Sequence, residues 1–285
     1  MKNGTLDKKL VIDHDKCIHC GLCLKTCWNG ALSLGKDGFP TMELKAPKDE
    51  WNMCWECQRC LAVCPSGALS IRGKSASDCI PRSGIASPQA IEALVVNRRS
   101  CRSYRDENVD GELIDHILHV AGNSPTGSCN QLVEYTVITD KESMRDFADL
   151  FHRELFAAAD RGVFPGRFTR EDIAFFRTKW EAGESFLFRG APHALFVHAP
   201  IGRGEWVFDT QIALTYVELM MESYGLGTIY VSTPLAALDI CPQSRAFLEI
   251  PEDHYITVPL GFGWPAYRFA RGVDRSDALK IHHLG

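Results

Sequence analysis

Eight of the chain's twelve cysteines stand in two copies of one spacing. Cys17, Cys20, Cys23 and Cys27 lie in "CIHCGLCLKTCWNGALSL", and Cys54, Cys57, Cys60 and Cys64 lie in "CWECQRCLAVCPSGALSI", 37 residues further on. Leu24 matches Leu61 and Gly30-Ala31-Leu32-Ser33 matches Gly67-Ala68-Leu69-Ser70, so the segment is an internal repeat. Each copy places three thiolates on one tight loop and a fourth at the start of the following turn, too close to join the same cubane comfortably. Thiolates so arranged are ligands for iron–sulfur clusters. Structural zinc is the plainer alternative, but it takes four tetrahedral ligands and is usually served by two separated CxxC pairs, which triplets do not supply.

Over roughly residues 8 to 72 the pattern resembles a bacterial-type 2[4Fe–4S] ferredoxin, in which the fourth cysteine of each run ligates the other cluster. The resemblance implies one cluster on Cys17, Cys20, Cys23 and Cys64, and a second on Cys54, Cys57, Cys60 and Cys27. Trp28 follows Cys27 where the ferredoxin pattern has the proline seen at Pro65, a change to the turn more than to the ligation. An insert, "GKDGFPTMELKAPKDEWNM", separates the halves and reads as a hairpin turn at Lys36-Asp37-Gly38 followed by a loop with Pro40 and Pro47. Such ferredoxins pass single electrons, and nothing in the repeat binds a substrate, so the rest of the chain must carry the chemistry.

That remainder has room for a real core: 285 residues, 45% hydrophobic and 24% charged. The net charge of −5, with no long block of like charges, argues against nucleic-acid and membrane partners. The start has no apolar run of signal-peptide length, and "IALTYVELMM" is too short and polar to span a bilayer, so the expected location is the cytoplasm. In that compartment the cysteines, including Cys79, Cys101, Cys129 and Cys241 outside the repeat, read as metal or redox groups rather than disulfides. "RGKSASDCIPRSGIAS" marks a linker, giving three expected segments: 1–74, a linker at 75–87, and 88–285. Beyond it Ser87 and Pro88 open a helix, and "DGELIDHILHVAG" forms a second between Asp110 and Gly122. "EYTVIT", "HALFVHA", "TIYVS" and "HYITVPL" read as strands among helices, a mixed α/β arrangement. "EWVFDTQIALTYVELMMESYG" reads as the longest helix, apolar enough to be a core helix or a dimer-interface helix, and ends at Gly225.

Three stretches of this second part could hold a ligand. Arg98-Arg99-Ser100-Cys101-Arg102 gathers guanidinium groups and a hydroxyl suited to a phosphate, although a solvated basic helix end has the same composition. "SPTGSCNQLVEY" is a turn whose Asn130 and Gln131 could meet the amide edge of a flat ring. "YGLGTIYVSTP" sets Gly225 and Gly227 before a strand ending at Ser232 and Thr233. His193 and His198 sit on a strand, where a lone histidine is more often a core or site-wall residue than an acid or base. Phe175, Phe176, Trp180, Phe186 and Phe188 read equally as core and as a wall over a substrate.

In this order the stretches resemble the FMN-binding elements of the nitroreductase family over roughly residues 88 to 275. The matches are "RRSxR" at Arg98 to Arg102, an "SPTG" turn at Ser124 to Gln131, "GAPHALFVHAP" as a central strand, "GLGT" at Gly225 to Thr228, and a closing "GWPAYRFARGVDR". The resemblance implies that Arg98, Arg99, Ser100, Arg102, Arg268 and Arg271 meet the phosphate or ring of FMN. It also implies that Asn130 and Gln131 lie at the ring edge and ribityl chain, and that Ser232 and Thr233 present backbone near flavin N5 and O4. Cys129 stands where the family usually has Asn: either Asn130 serves through a shifted turn or a ring contact is lost. No catalytic acid is evident.

The expected fold class is therefore α+β: an N-terminal ferredoxin-like 2[4Fe–4S] domain followed by a nitroreductase-like mixed α/β sandwich, homodimeric with FMN at the dimer interface. The implied cofactors are FMN and two [4Fe–4S] clusters, the clusters giving single electrons and FMN returning two as a hydride. The implied activity is reduction of an electron-poor small molecule such as a nitroaromatic, quinone or activated alkene, with reduced ferredoxin or a similar carrier as donor and NAD(P)H left open. Relay of electrons to a partner protein and specialised flavin chemistry such as reductive dehalogenation are the alternatives.

Overall fold

The computed structural model describes residues 10–42, 54–166 and 168–285. The part of the insert from Glu43 to Met53, with Pro47, lies outside the described residues, as does the start of the chain up to Lys9. The chain separates into two compact units: one comprises the residues up to Ile85 with Ser128–Asn130, and the other comprises Ala86–Gly127 and Gln131–Gly285.

The first unit is built on the cysteine repeat. Its elements are β1 (Leu10–Ile12), α1 (Leu22–Lys25), β2 (Leu32–Leu34), β3 (Pro40–Met42), α2 (Arg59–Val63) and β4 (Leu69–Ile71). The starts of α1 and α2, and of β2 and β4, are offset by the same 37 residues as the cysteines. Backbone conformation follows the same register: His19 and Glu56 have φ 51° and 57°, Gly21 and Gln58 have 67° and 57°, and Gly30 and Gly67 have 62° and 64°. Left-handed residues set close together within each cysteine loop turn successive N–H groups toward one side, the geometry that cradles phosphates and iron–sulfur clusters. β1 pairs antiparallel with β4 and β2 with β3, so the insert starts as a hairpin closed by Gly35 N–H to the Phe39 carbonyl at 2.8 Å. Pro40 opens β3 rather than lying in a loop, as a proline at the first residue of an edge strand is able to do. Leu32, Leu61, Leu69 and Ile71 form the small core, with Cys60 buried among them.

After 3-10 turns at Ala76–Asp78 and Arg82–Gly84, where Ile80 and Ile85 are exposed, the second unit begins. Ser87 Oγ accepts the Ala90 N–H at 3.2 Å and Pro88 is the first residue of α3 (Pro88–Asn97). Asp110 caps α4 (Gly111–Ala121) by accepting from the Glu112 N–H at 2.7 Å. Then come β5 (Glu134–Ile138), α5 (Lys141–Asp160), α6 (Arg170–Glu181), β6 (His193–Pro200), α7 (Trp206–Ser223), β7 (Gly227–Tyr230), α8 (Ser232–Ala237), α9 (Pro242–Phe247), β8 (His254–Ile256) and β9 (Leu260–Gly263). The sheet runs β5-β6-β9-β7 with β8 also on β6, and every pairing is antiparallel.

Helices cover both faces of this sheet, which explains why β6 reads as an unbroken apolar run instead of an alternating one. Ala194 and Phe196 join the core built with Phe147, Phe151 and Leu155 of α5, while Leu195 and Val197 join Ile114 and Ile117 of α4 and Ala213 and Val217 of α7. α5 is the longer helix, 20 residues against 18 for α7, because Phe147, Phe151 and Leu155 repeat at one-turn spacing beneath a polar outer face. The stretch "HYITVPL" breaks into two strands at Pro259, which has no N–H to donate to a ladder, although its carbonyl accepts the Val231 N–H at 2.9 Å.

Candidate functional site

All twelve cysteines are free thiols. Cys17, Cys20, Cys23 and Cys64 line one cavity of about 160 Å³ whose remaining wall includes Ile12 and Leu24. Burial pushes the Cys23 thiol above its usual range, and the nearby Cys20 and Cys64 add to that. The other set is likewise gathered: burial raises Cys54, with Cys57 and Cys27 beside it, and pushes Cys60 up to about 11, with Cys54 and Cys57 beside it. In both sets the thiol from the opposite half of the repeat sits with the triplet. Each set gathers four thiols, a donor set able to hold an iron–sulfur cluster, since a bound cation removes the penalty of ionising them together. Trp28 is 77% exposed and stands apart from this packing.

In the second unit, α3 stops at Arg98, and the chain then runs extended alongside β7. Ser100 bridges Thr228, the Cys101 N–H donates to the Thr228 carbonyl at 2.8 Å, and the buried Cys101 thiol donates to the Ser103 carbonyl at 3.2 Å. Gly227 is required by this approach, since a Cβ there would lie 2.6 Å from Cys101 Cβ and 2.7 Å from its Sγ. On its other side the segment receives the C-terminal stretch: the Ala266 N–H donates to the Ser103 carbonyl at 2.9 Å and the Arg105 N–H to the Trp264 carbonyl at 2.9 Å. The fold thus joins the two arginine-bearing stretches that are most distant in sequence.

The guanidinium groups differ in their engagement. Arg98 Nη1 pairs with Glu218 Oε1 at 3.2 Å. Arg99 donates to the carbonyls of Val96, Arg98 and Val273 at 2.7, 2.7 and 2.6 Å, which ties the tail to the end of α3. Arg99 and Arg268 line a cavity of about 400 Å³ together with Tyr224 and Tyr267. Arg102, Arg268 and Arg271 are exposed, and Ser100 is half-buried. Arg189, which sequence reasoning missed, lies close enough to Arg102 that, after burial itself, Arg102 lowers its pKa. Its φ of 56° and its stacking 3.9 Å from the Phe186 ring centre fix it there.

Ser232 and Thr233 open α8 at the far end of the strand that Ser100 bridges, so their N–H groups lie in the first turn, where a helix has no internal acceptor for them. Thr228 and Ser232 are four residue steps apart, about 13 Å of extended chain. The "SPTG" turn is anchored by the Gly127 N–H donating to the buried Asp209 Oδ1 at 2.8 Å. Ser128, Cys129 and Gln131 then take φ of 51°, 54° and 50°, a cluster of left-handed non-glycine residues of the kind that gathers at ligand sites. Gln131 is exposed and donates its backbone N–H to Thr126 Oγ1 at 3.1 Å; Asn130 and Cys129 are half-buried, and burial raises the Cys129 thiol.

Of the aromatic residues on and after α6, Phe176 and Phe188 belong to the core, Trp180 stacks on buried His152 at 3.8 Å, and Phe175 is exposed. His193 is wholly buried and its Nε2 accepts the Val109 N–H at 3.0 Å. His198 is not a lone histidine: its Nδ1 lies 2.8 Å from Nδ1 of His254.

Residues 95–264 match the nitroreductase family and residues 16–68 match a 4Fe-4S dicluster domain. The chain belongs to the nitroreductase family, as an oxidoreductase carrying an N-terminal 4Fe-4S dicluster domain. It is 28% identical over 191 residues to the FMN reductase [NAD(P)H] of Bacillus subtilis (strain 168), covering 64% of this chain and 68% of that protein. It is 25% identical over 179 residues to the iodotyrosine deiodinase of Nematostella vectensis, covering 59% of this chain and 64% of that one. Two nitroreductases solved with bound FMN share the fold of the second unit. The protein from Desulfitobacterium hafniense DCB-2 is 21% identical with a TM-score of 0.53, covering 70% of this chain and 100% of that one. That from Bacteroides fragilis NCTC 9343 is 17% identical with a TM-score of 0.54, covering 69% and 100%. No helix among the described residues is long and apolar enough to cross a membrane.

Proposed function

We propose that this chain is an FMN-dependent reductase whose two [4Fe–4S] clusters feed single electrons from an external low-potential donor to the flavin, for reduction of an electron-poor small molecule. The observation that carries the reading is the convergence at β7, where the stretch from Arg98 to Arg102 is sandwiched between Thr228 and the tail at Trp264 to Val273. The cysteine sets Cys17, Cys20, Cys23, Cys64 and Cys54, Cys57, Cys60, Cys27 hold the clusters. Arg98, Arg99, Ser100, Arg102, Arg268 and Arg271 serve the phosphate and the polar ring edge, joined by Arg189. When bound, the clusters supply one-electron transfer and FMN supplies storage of two electrons and their release as a hydride.

This chain's own residues then position and stabilise. Arg102 and Arg189, held near each other, concentrate positive charge where an anion is favoured. The first-turn N–H groups of Ser232 and Thr233 present donors with no competing helical acceptor. Arg99, with both terminal nitrogens on carbonyls, orders the segment and the tail, in addition to facing the cavity it shares with Arg268.

The working form is a homodimer. Phe208, Ile212 and Tyr216 stand one turn apart on α7 and remain 63%, 37% and 43% exposed, while the opposite face, with Ala213, Val217 and Met221, is buried. Ile91 and Val95 of α3 add exposed apolar surface. An apolar stripe of this kind on a monomer marks an association surface.

The donor is a small electron carrier such as reduced ferredoxin, and the likeness to an FMN reductase [NAD(P)H] supports a nicotinamide as a second donor. The likeness to iodotyrosine deiodinase supports reductive dehalogenation as a second chemistry, which product analysis after turnover separates from simple reduction. The deciding experiment is the iron, sulfide and flavin content of anaerobically purified protein. About eight iron and one FMN per chain are expected. Full iron without flavin removes the reductase, and zinc in place of iron removes the electron path.

A further inference from the structure

Three donor groups from three strands converge on the α5 face of the large sheet. Glu134 on β5 stands opposite His198 on β6, and His254 on β8 pairs with Pro200, two residues along β6 and therefore on the same face. One ligand atom of each lies within 4.8 Å of the others. His198 and His254 are 3% and 8% exposed, whereas Glu134 is exposed and brings its carboxylate from the solvent side.

The nitrogens are already oriented. His198 Nε2 lies 3.1 Å from Thr136 Oγ1, which shares its sheet face, and His198 Nδ1 lies 2.8 Å from His254 Nδ1. His254 and Arg245 are the charged or titratable groups that act on His198. In the tautomer that donates its Nε2–H to Thr136 Oγ1, His198 turns a lone pair at Nδ1 toward His254. A hydroxyl that fixes the tautomer of a buried histidine is the arrangement found behind metal-ligating imidazoles.

We propose that Glu134, His198 and His254 form a site for a divalent transition metal of the zinc type, held by two imidazole Nδ1 atoms and one carboxylate oxygen. Two imidazoles and a carboxylate are three of the four ligands of an open zinc site, leaving one position to water. Two nitrogens on a tetrahedral zinc stand about 3.3 Å apart, so the rings separate by about 0.5 Å as the metal replaces their hydrogen bond. In that tautomer His254 carries its proton on Nδ1 and shifts it to Nε2 as the metal takes the lone pair. Calcium and magnesium are excluded by the nitrogen donors, which hard cations avoid. Arg245 is the cation facing the site and opposes binding, while the Glu134 carboxylate balances it.

The test uses full-length protein with its clusters and flavin in place, kept anaerobic so that the cluster thiolates are occupied. It is incubated with zinc sulfate near neutral pH, desalted, and its zinc counted by mass spectrometry beside a calcium control. Wild type is expected to retain about one zinc per chain above the level of Glu134→Gln and His254→Ala. Competition with a chromophoric chelator should show Thr136→Val weakening binding by about tenfold. The site is overturned if the wild type retains no zinc, or if either Glu134→Gln or His254→Ala leaves the retained zinc unchanged. Glu134 is exposed, so its substitution decides the matter even where His254→Ala fails to fold.

Discussion

Arg98 at the end of α3 pairs with Glu218, a carboxyl only 5% exposed in the middle of α7, at 3.2 Å. Thr228 and Tyr230 also donate their hydroxyls to Glu218, at 3.3 and 2.8 Å. The arginine therefore has a structural partner of its own. Removing it leaves a buried carboxyl without its cation, so Arg98→Ala should destabilise the flavin-free protein by about 2–3 kcal/mol. In a Glu218→Gln background the same substitution should cost much less. Urea melts of the four members of this cycle give the coupling, and a coupling near zero would leave Arg98 with a ligand role alone.

Gly227 and Gly225 should respond differently to alanine. At Gly225 the φ of 79° strains any side chain but the space is open, for a cost of about 1 kcal/mol. At Gly227 the added methyl runs into Cys101 and pushes the stretch from Ser100 to Ser103 off β7. Gly227→Ala should therefore cost about 1–3 kcal/mol and also lower retained flavin. Thermal melts with flavin quantified by absorbance check this, and equal effects at the two glycines would contradict the close-approach argument.

The sequence made local features legible and long-range pairings opaque. The cysteine spacing carried its backbone with it, down to the positive φ shared by Gly21 and Gln58, because the loop is too short to fold two ways. Ser87 and Pro88 announced α3 because a cap and a fixed φ act within one turn. Arg98, by contrast, finds Glu218 120 residues away, Arg102 meets Arg189, and His198 meets His254 across a strand pair. Periodicity reports which face of an element is buried, not which side chain waits there. α5 is hard to see in the sequence for a related reason: its charged outer face dilutes the apolar stripe of Phe147, Phe151 and Leu155.

Acid should loosen the second unit, and one buried histidine contributes a measurable share of the loss. His152 is 1% exposed, stacks on Trp180, and its Nδ1 lies 2.6 Å from the Ala148 carbonyl. Burial pushes its pKa from 6.5 down to about 4. The folded protein thus binds the proton less readily than the unfolded chain, and stability is complete above about pH 6.5 and lost as pH falls toward 4. By pH 4 the loss from this group is about 3 kcal/mol. His152→Phe keeps the ring stack without the titration, so its melting temperature should fall less steeply between pH 6.5 and 4 than that of wild type. Parallel pH profiles for the two proteins would show that His152 contributes nothing to the acid limb.

The cysteine sets make a prediction that depends on which half each fourth thiol serves. Cys64 lines the cavity with Cys17, Cys20 and Cys23, and Cys27 lies beside Cys54. If Cys27 completes the cluster of the second triplet, Cys27→Ser with Cys54→Ser removes ligands from one cluster only and should leave about four iron per chain. Cys27→Ser with Cys17→Ser then removes one ligand from each cluster and should leave still less iron, with both reduced-cluster signals altered in electron paramagnetic resonance. Within-half ligation reverses the two outcomes, since Cys27 and Cys17 would then share a cluster. The double variants discriminate where single ones do not, because a lone serine is able to ligate iron in place of the lost thiolate and hide the assignment.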